Sequence, residues 1–206
     1  MTTMNTSKMD AAYIKECLHR YLYEQGHWVE DEFVMNDVRA DIVTLNDEGI
    51  DGYEIKSDLD STARLPNQIR GYDKVCRTCT LVCSREMLVK CGKHLPDHWG
   101  ALLVLSDGSF LLWRKPWPNP NFNINKFLGL LWTLEIKAML RYICLKTTGA
   151  KRDLIGRLAA KAATVAMIAY GMHCIRHRMN GRSIKTSRKM KKWVQSGIAN
   201  FWRSAA

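Results

Sequence analysis

Apolar and polar positions alternate along the chain in two different periods. A repeat of apolar residues at every third or fourth position predicts a helix over about residues 8–24, with Ser7 as its N-cap and Gly26 as its end. Three apolar or β-branched runs then predict strands over residues 27–35, 38–45 and 50–56. The polar run 46–49 has the composition of a four-residue hairpin loop.

The same two periods continue to about residue 115. Asp60 or Ser61 is expected to open a second helix, which contains Tyr72. Strands are then predicted at 80–84, 99–105 and 109–115, and a short helix at 86–91. The order helix, three strands, helix, strand, helix, two strands predicts an α/β fold with a mixed central sheet flanked by helices.

A proline-rich stretch marks a change in the pattern near residue 120. Pro116, Pro118 and Pro120 stand among asparagines. Neither a helix nor a central strand tolerates three prolines so close together. The later pattern is helical, and it predicts helices over 126–145, 151–177 and 184–202. We therefore divide the chain into an α/β core, residues 1–120, and a helical, basic C-terminal region, residues 121–206.

The charge of the chain is concentrated in that C-terminal region. The net charge is +11, and no Asp or Glu occurs after Asp153, whereas residues 154–206 hold eleven Lys and Arg. Such an uncompensated surplus is typical of proteins that bind polyanions, and it points to nucleic acid as the leading partner, with an anionic membrane surface as the alternative. The expected DNA-binding side chains are Arg182, Lys185, Arg188, Lys189, Lys191 and Lys192.

The end of the chain has an apolar side as well as a basic one. Met190, Trp193 and Phe201 share the apolar side of the predicted last helix, and three partners fit it: the rest of the chain, a second copy in a homodimer, or an anionic membrane surface. The sequence has neither eighteen consecutive uncharged apolar residues nor the pattern of a signal peptide. We therefore expect a cytoplasmic protein that does not cross the membrane.

Three residues of the predicted hairpin form a pattern that suits metal chemistry. Glu54 and Lys56 share one face of their strand because side chains alternate. If residues 46–49 form the loop, Asp41 lies directly opposite Glu54, provided that no bulge shifts the register. Two neighbouring carboxylates repel each other unless a cation lies between them, and oxygen ligands suit Mg²⁺ or Mn²⁺. The alternative is a solvated hairpin whose exposed face happens to carry these charges.

The residues around this pattern carry a family resemblance. The runs Arg39-Ala40-Asp41-Ile42, residues 52–61 (GYEIKSDLDS) and residues 64–72 (RLPNQIRGY) resemble the PD-(D/E)xK nuclease superfamily, most closely a group of small, largely uncharacterised bacterial and phage proteins. The MmcB-like DNA repair proteins are more distant relatives. The resemblance covers about residues 10–115. Ala40 stands where the motif name has its proline.

The resemblance implies a restriction-endonuclease-like core and a metal-dependent DNA nuclease. The metal-binding acids map to Asp41 and Glu54, and the catalytic lysine maps to Lys56. Many members add an acid from the first helix or strand, for which Glu32 is our first candidate and Glu16 our second.

The second predicted helix adds two further site candidates. Gln68 corresponds to a glutamine at the edge of the active site in related nucleases. Arg64 lies one turn before it and is a candidate DNA contact. The alternative is that Tyr72 is a core residue and that the other two lie on the surface.

Two other interpretations of the sequence stay open. A noncatalytic protein that binds nucleic acid or a protein partner, such as a phage-borne inhibitor of a host system, would keep the same fold. The cysteine run at positions 76, 79, 83 and 91 has spacing that suits zinc or an iron–sulfur cluster. We favour buried free thiols, because these cysteines fall on different predicted elements.

Overall fold

In the computed structural model, residues 9–181 and residue 195 are described. The chain forms two compact units. The first comprises Met1–Asn46 and Ile50–Phe122, and the second comprises Asp47–Gly49 and Asn123–Ala206.

The first unit is built on a six-stranded mixed sheet, whose strands are neighbours in the order in which they occur along the chain. β1 and β2 are antiparallel, β3, β4 and β5 are parallel, and β6 is antiparallel to β5. The strands are β1 (Val29–Met35), β2 (Val38–Asn46), β3 (Gly49–Lys56), β4 (Thr78–Cys83), β5 (Gly100–Val104) and β6 (Phe110–Arg114). The predicted α/β class with a mixed sheet flanked by helices is confirmed. The predicted four-residue hairpin loop is wrong, because only residues 47–48 separate β2 from β3.

One face of the sheet is covered by the first helix, α1 (Ala11–Glu24). Its buried Ile14, Leu18 and Leu22 belong to one core cluster with strand residues such as Ile42 and Ile55. Burying each of these side chains fully contributes about 1.5–3 kcal/mol. The predicted start at residue 8 is wrong: the helix begins at Ala11, because the Asp10 carboxylate accepts the Tyr13 N–H at 2.7 Å and caps it.

The other face of β3 meets the second helix, α2 (Leu65–Asp73). A Cβ on Gly52 would lie only 2.7 Å from the Tyr72 ring, so the absence of a side chain lets α2 approach β3 closely. The helix begins later than the predicted Asp60 or Ser61. Ser61 instead caps a 3-10 turn, Thr62–Arg64, that precedes α2.

The end of α2 is fixed by a buried carboxylate. Asp73 Oδ1 lies 3.0 Å from His98 Nε2 and accepts the Trp99 indole N–H at 2.8 Å, while its Oδ2 accepts the Asn121 amide at 3.0 Å. Asn119 donates to the backbone carbonyls of Asp73 and Cys76. This network links α2 to the residues just before β5 and to the proline-rich stretch.

Between β4 and β5 lies a short helix, α3 (Arg85–Cys91), which Ser84 caps by accepting the Met87 N–H at 3.1 Å. All seven cysteines of the chain are free thiols. Cys76 Sγ lies 3.5 Å from Met35 Sδ, and Cys79 Sγ lies 3.9 Å from Asp73 Oδ1.

The second unit is helical, and its described helices are shorter than the predicted ones. They are α4 (Ile124–Gly129), α5 (Thr133–Tyr142), α6 (Lys151–Lys161) and α7 (Thr164–Asn180). The single helix predicted over 126–145 is wrong, because the Glu135 carboxylate accepts the Trp132 N–H at 2.6 Å and starts a new helix. The helix predicted over 151–177 is also interrupted, at Ala162 and Ala163, whose backbones are extended.

Several predictions fall on residues outside the described part of the chain. These are the helix over 184–202, of which the structure describes residue 195 alone, and the six basic residues predicted to contact DNA, Arg182, Lys185, Arg188, Lys189, Lys191 and Lys192. Among the described helices, none has both the length and the apolar character that a membrane span requires.

Candidate active site

The two predicted metal-binding acids meet where β2 and β3 lie side by side. Asp41 on β2 accepts the backbone N–H of Ile55 through Oδ2 at 2.8 Å, so its carboxylate reaches across to the residue that follows Glu54. Glu54 and Asp41 are close enough that the charge of Asp41 raises the pKa of Glu54. The predicted juxtaposition of these two acids is therefore present in the structure.

Tyr72 of α2 ties the two strands together beneath these acids. Its hydroxyl accepts the backbone N–H of Asp41 at 3.1 Å and donates to the backbone carbonyl of Tyr53 at 3.2 Å. The ring is fully buried and lies 5.5 Å from the ring of Trp99, centroid to centroid. A single side chain thus fixes the backbone on which Asp41 and Glu54 stand.

Lys56 pairs directly with Glu54. Its ammonium donates to Glu54 Oε1, and both side chains are buried, with exposed fractions of 4% and 0%. The other carboxylate oxygen, Glu54 Oε2, is buried and accepts no hydrogen bond of normal geometry from the described residues. A buried carboxylate oxygen without a partner is costly, so this atom is where a cation or a water molecule would be stabilised.

The electrostatic environment raises the pKa values of both acids. Burial, followed by the nearby charge of Asp41, raises the pKa of Glu54 to about 7, although the Lys56 ammonium and the Tyr72 hydroxyl act in the opposite direction. Burial also raises the pKa of Asp41, opposed by the Ile55 N–H and by the charge of Lys56. Each acid would bind a cation more readily when it is ionised. A bound cation would in turn stabilise the ionised form.

The two site candidates on α2 and just before it have different environments. Gln68 is half-buried, and its Oε1 is a second buried polar atom without a hydrogen-bond partner among the described residues. Arg64 immediately precedes the helix and is exposed. Tyr72 is buried, as the core alternative required, but its hydroxyl also holds Asp41. The roles assigned to Gln68 and Arg64 stay predictions.

Glu32, the first candidate for a third acid, lies at the edge of this site. The pairs Asp31 with Ile42 and Phe33 with Ala40 place it across from Asp41 in the β1–β2 register. Its carboxylate contacts two cations, Lys15 Nζ at 2.5 Å and Arg39 Nε at 3.0 Å. Glu16, the second candidate, is exposed on α1. Whether either acid binds metal stays a prediction.

Three features of the site were not predicted from the sequence. One is the Tyr72 hydroxyl bridge, for which Gly52, two residues before Glu54, is the only sequence signal. Another is Lys15, whose charge acts against the rise in the pKa of Asp41. The third is the buried Cys91 thiol, near enough for the charges of Lys56 and Glu54 to affect its pKa, which burial raises.

The donor atoms of the site fit a hard divalent cation. Mg²⁺ is usually held by one or two carboxylates, with water and substrate phosphate completing its coordination, and Asp41 and Glu54 offer this set. Within the described part of the chain, no three His, Cys, Asp or Glu residues are grouped closely enough to hold a metal by themselves. Asp41 and Glu54 are thus a pair of carboxylates, and no larger group of potential ligands surrounds them among the described residues.

Comparisons with known proteins point to a phage protein family. The chain is 25% identical over 181 residues to "Protein cII" of Enterobacteria phage P4, an alignment covering 82% of this chain and 68% of the phage protein. It also resembles the solved structure of the SPO1766 protein of unknown function from Silicibacter pomeroyi, with 18% identity, a TM-score of 0.42, and coverage of 84% of this chain and 94% of that one. Neither match bears on the resemblance to PD-(D/E)xK nucleases. The sequence profile of the family described as "Bacteriophage P4 protein cII" matches residues 4–196, so the chain belongs to the bacteriophage P4 protein cII family.

Proposed function

We propose that this chain is a metal-dependent nuclease that hydrolyses phosphodiester bonds in DNA. The observation that carries the proposal is the convergence of Asp41, Glu54 and Lys56, in which one buried Glu54 oxygen makes no hydrogen bond of normal geometry with the described residues. An ordinary solvated hairpin does not explain this arrangement, because Glu54 and Lys56 are both buried. Burying two charges costs free energy, and such sites are frequent where chemistry requires them.

Each residue of the site has a distinct role in this proposal. Asp41 and Glu54 would hold Mg²⁺ or Mn²⁺ through carboxylate oxygens. Such an ion, when bound, polarises a phosphoryl oxygen and lowers the pKa of a bound water. Lys56 stands two residues after Glu54 on the same face of β3, where its ammonium would orient the attacking water and stabilise the negative charge that develops on the phosphate.

The proposal includes a restriction-endonuclease-like core. It is supported by the element order at the start of the first unit, which runs helix, strand, strand, strand, helix, strand, as the resemblance implies. The Gln68 Oε1 atom, buried without a hydrogen-bond partner among the described residues, suits its predicted place at the edge of the active site.

DNA is the proposed substrate because the charge surplus of the chain suits a polyanion. The eleven Lys and Arg after residue 153, with no acid among them, would supply contacts to phosphates in a region separate in sequence from the catalytic residues. Seven free thiols fit the reducing cytoplasm, where a phage protein would meet phage and host DNA.

The test is incubation of the purified chain with labelled duplex, branched and single-stranded DNA and with RNA, in Mg²⁺, in Mn²⁺ or in EDTA. We expect cleavage of at least one DNA form in either metal and none in EDTA. Cleavage that persists in EDTA would contradict the metal mechanism, and cleavage of RNA alone would contradict the substrate. Binding of DNA without hydrolysis of any member of the panel would support the noncatalytic alternative.

A further inference from the structure

Glu32 has an unusual backbone conformation beside the proposed active site. Its φ is +51°, in the left-handed region that non-glycine residues rarely adopt, and it lies in the middle of β1, across from Asp41. Such a conformation costs free energy and persists only where surrounding contacts require it. The contacts that hold Glu32 in this conformation therefore bear on the neighbouring site.

Those contacts are two cations from different elements. The Glu32 carboxylate binds Lys15 of α1 through one oxygen and Arg39 of β2 through the other. These three side chains, Lys15, Glu32 and Arg39, are called the basic trio below. The trio carries a net charge of +1, because two cations share a single carboxylate.

The basic trio is adjacent to the proposed cleavage site. Arg39 and Asp41 are two residues apart on β2 and share one face of the strand. Lys15 is near enough to Asp41 for its charge to act on that acid, and so is Glu32. The Arg39 side chain is 66% exposed and that of Lys15 is 25% exposed, so both can still be reached by a ligand.

We propose that Lys15 and Arg39, held in place by Glu32, bind a backbone phosphate of the nucleic acid next to the bond that is cut. This inference rests on the proposed function, since it assigns the substrate contact of that same site. Glu32 is then a positioning residue, which aligns two cations instead of ligating metal. Phosphate recognition by a guanidinium and an ammonium side by side is a common arrangement, and an Arg fork adds directional hydrogen bonds.

The experiment measures DNA binding without cleavage. Fluorescence anisotropy with a labelled duplex in Ca²⁺, over a series of salt concentrations, compares the full chain with Lys15→Gln/Arg39→Gln. The matched control is Arg85→Gln/Lys115→Gln, which also removes two positive charges. Arg85 lies over Trp113 on β6, at the edge of the sheet opposite β1, and Lys115 directly follows β6. Thermal unfolding of each variant checks that it is folded.

We expect the Lys15/Arg39 variant to bind at least tenfold more weakly at physiological salt. Its slope of log K against log salt should be shallower by about 0.9, because the two cations bind one phosphate and each phosphate that is no longer neutralised changes the slope by this amount. The Arg85/Lys115 variant should keep the affinity and slope of the original chain. Lys15→Arg/Arg39→Lys should restore most of the binding, because both charges return.

Equal affinities and slopes for the two double variants would overturn the inference, as would failure of the unmodified chain to bind DNA in Ca²⁺. If the trio had only a structural role, the Lys15/Arg39 variant would unfold at a lower temperature and keep the original salt slope. That result too would overturn the inference. Loss of metal affinity in Glu32→Gln, with DNA binding unchanged, would assign Glu32 to the metal instead. None of these results depends on hydrolysis, so the nuclease proposal stands or falls separately on the cleavage panel.

Discussion

Gly52 is the position where a single added methyl group should disturb the site most. In Gly52→Ala, the new Cβ would lie 2.7 Å from Tyr72 Cδ1, 2.8 Å from Cys76 Sγ and 2.9 Å from Tyr72 Cε1. Carbon atoms in contact are normally about 3.5–4.0 Å apart, so the Tyr72 ring must move by roughly 1 Å. Because the ring is fully buried and packs near Trp99, it has little room to move.

The expected cost follows from two terms. Overpacking of a closed core costs about 1–3 kcal/mol. The two hydrogen bonds of the Tyr72 hydroxyl, to Asp41 N–H and the Tyr53 carbonyl, are 3.1 and 3.2 Å long, so a shift of this size breaks them at about 0.5–1.5 kcal/mol each. We therefore expect Gly52→Ala to lower the free energy of unfolding by about 2–6 kcal/mol. Cleavage should also slow, because the backbone of Asp41 loses its support.

The assay is urea unfolding followed by circular dichroism, with Gly92→Ala as the matched control. Gly92 has helical backbone angles, and a Cβ there would meet nothing within 4 Å. Alanine at such a position stabilises a protein by about 0.4–1 kcal/mol. Tyr72→Phe, which removes the hydroxyl alone, should fall between the two. If Gly52→Ala proved as stable as Gly92→Ala, the close packing of α2 on β3 and the role given to Tyr72 would both be refuted.

Three further predictions follow from the buried acids. Burial and the Asp41 charge raise the pKa of Glu54 to about 7. At a metal concentration that does not saturate the site, the cleavage rate should therefore rise about tenfold per pH unit below pH 7 and level off above it. A rate that does not depend on pH would contradict this. For the same reason, protonation of Glu54 should stabilise the fold fully below about pH 4.5, and this stabilisation should be lost as the pH rises through about 7. The free energy of unfolding measured against pH should show this loss in the original chain and should not show it in Glu54→Gln. Asp73→Ala should lower the free energy of unfolding by about 3 kcal/mol, because it removes the acceptor of His98, Trp99 and Asn121. Asp73→Asn keeps an oxygen acceptor and should lower it less. Equal losses of stability in thermal unfolding of the two variants would contradict the network.

The sheet and the closeness of Asp41 to Glu54 could be predicted because their signals are local. Alternation along residues 50–56 places Glu54 and Lys56 on one face, and a short connection brings Asp41 beside them. The β-branched runs and turn residues predicted the positions of all six strands to within about two residues. These features depend on the period of a strand and on turn chemistry, both of which a single sequence displays.

The helix boundaries were less predictable, because they depend on competing contacts. Asp10 rather than Ser7 caps α1, and two good capping residues three positions apart cannot be ranked from sequence alone. The break at Ala162 and Ala163 contradicts the high helix propensity of alanine, and no sequence signal marks it. In α5 the Glu135 carboxylate decides where the helix starts, and its role depends on a hydrogen bond to Trp132.

The rest of the site depends on tertiary structure. The Tyr72 hydroxyl reaches Asp41 because Gly52 leaves room for its ring, which requires knowing that α2 crosses β3 at that residue. The left-handed backbone of Glu32 has no local signal, since glutamate rarely adopts it. The contacts of Glu32 with Lys15 and Arg39 join residues that are 17 and 7 positions away in sequence, and spacing does not predict such pairs.

The central claim, that Asp41 and Glu54 serve a metal-dependent hydrolysis, is tested most directly by single-turnover cleavage of a labelled DNA at pH 8 in Mn²⁺. The full chain is compared with Asp41→Asn, Glu54→Gln and Lys56→Ala, each checked for folding, and with Arg85→Gln/Lys115→Gln as a variant of the opposite sheet edge. We predict that each of the first three loses at least a thousandfold in rate, about 4 kcal/mol of transition-state stabilisation, while the last keeps the original rate. Cleavage by folded Asp41→Asn and Glu54→Gln at the rate of the unmodified chain would contradict the account.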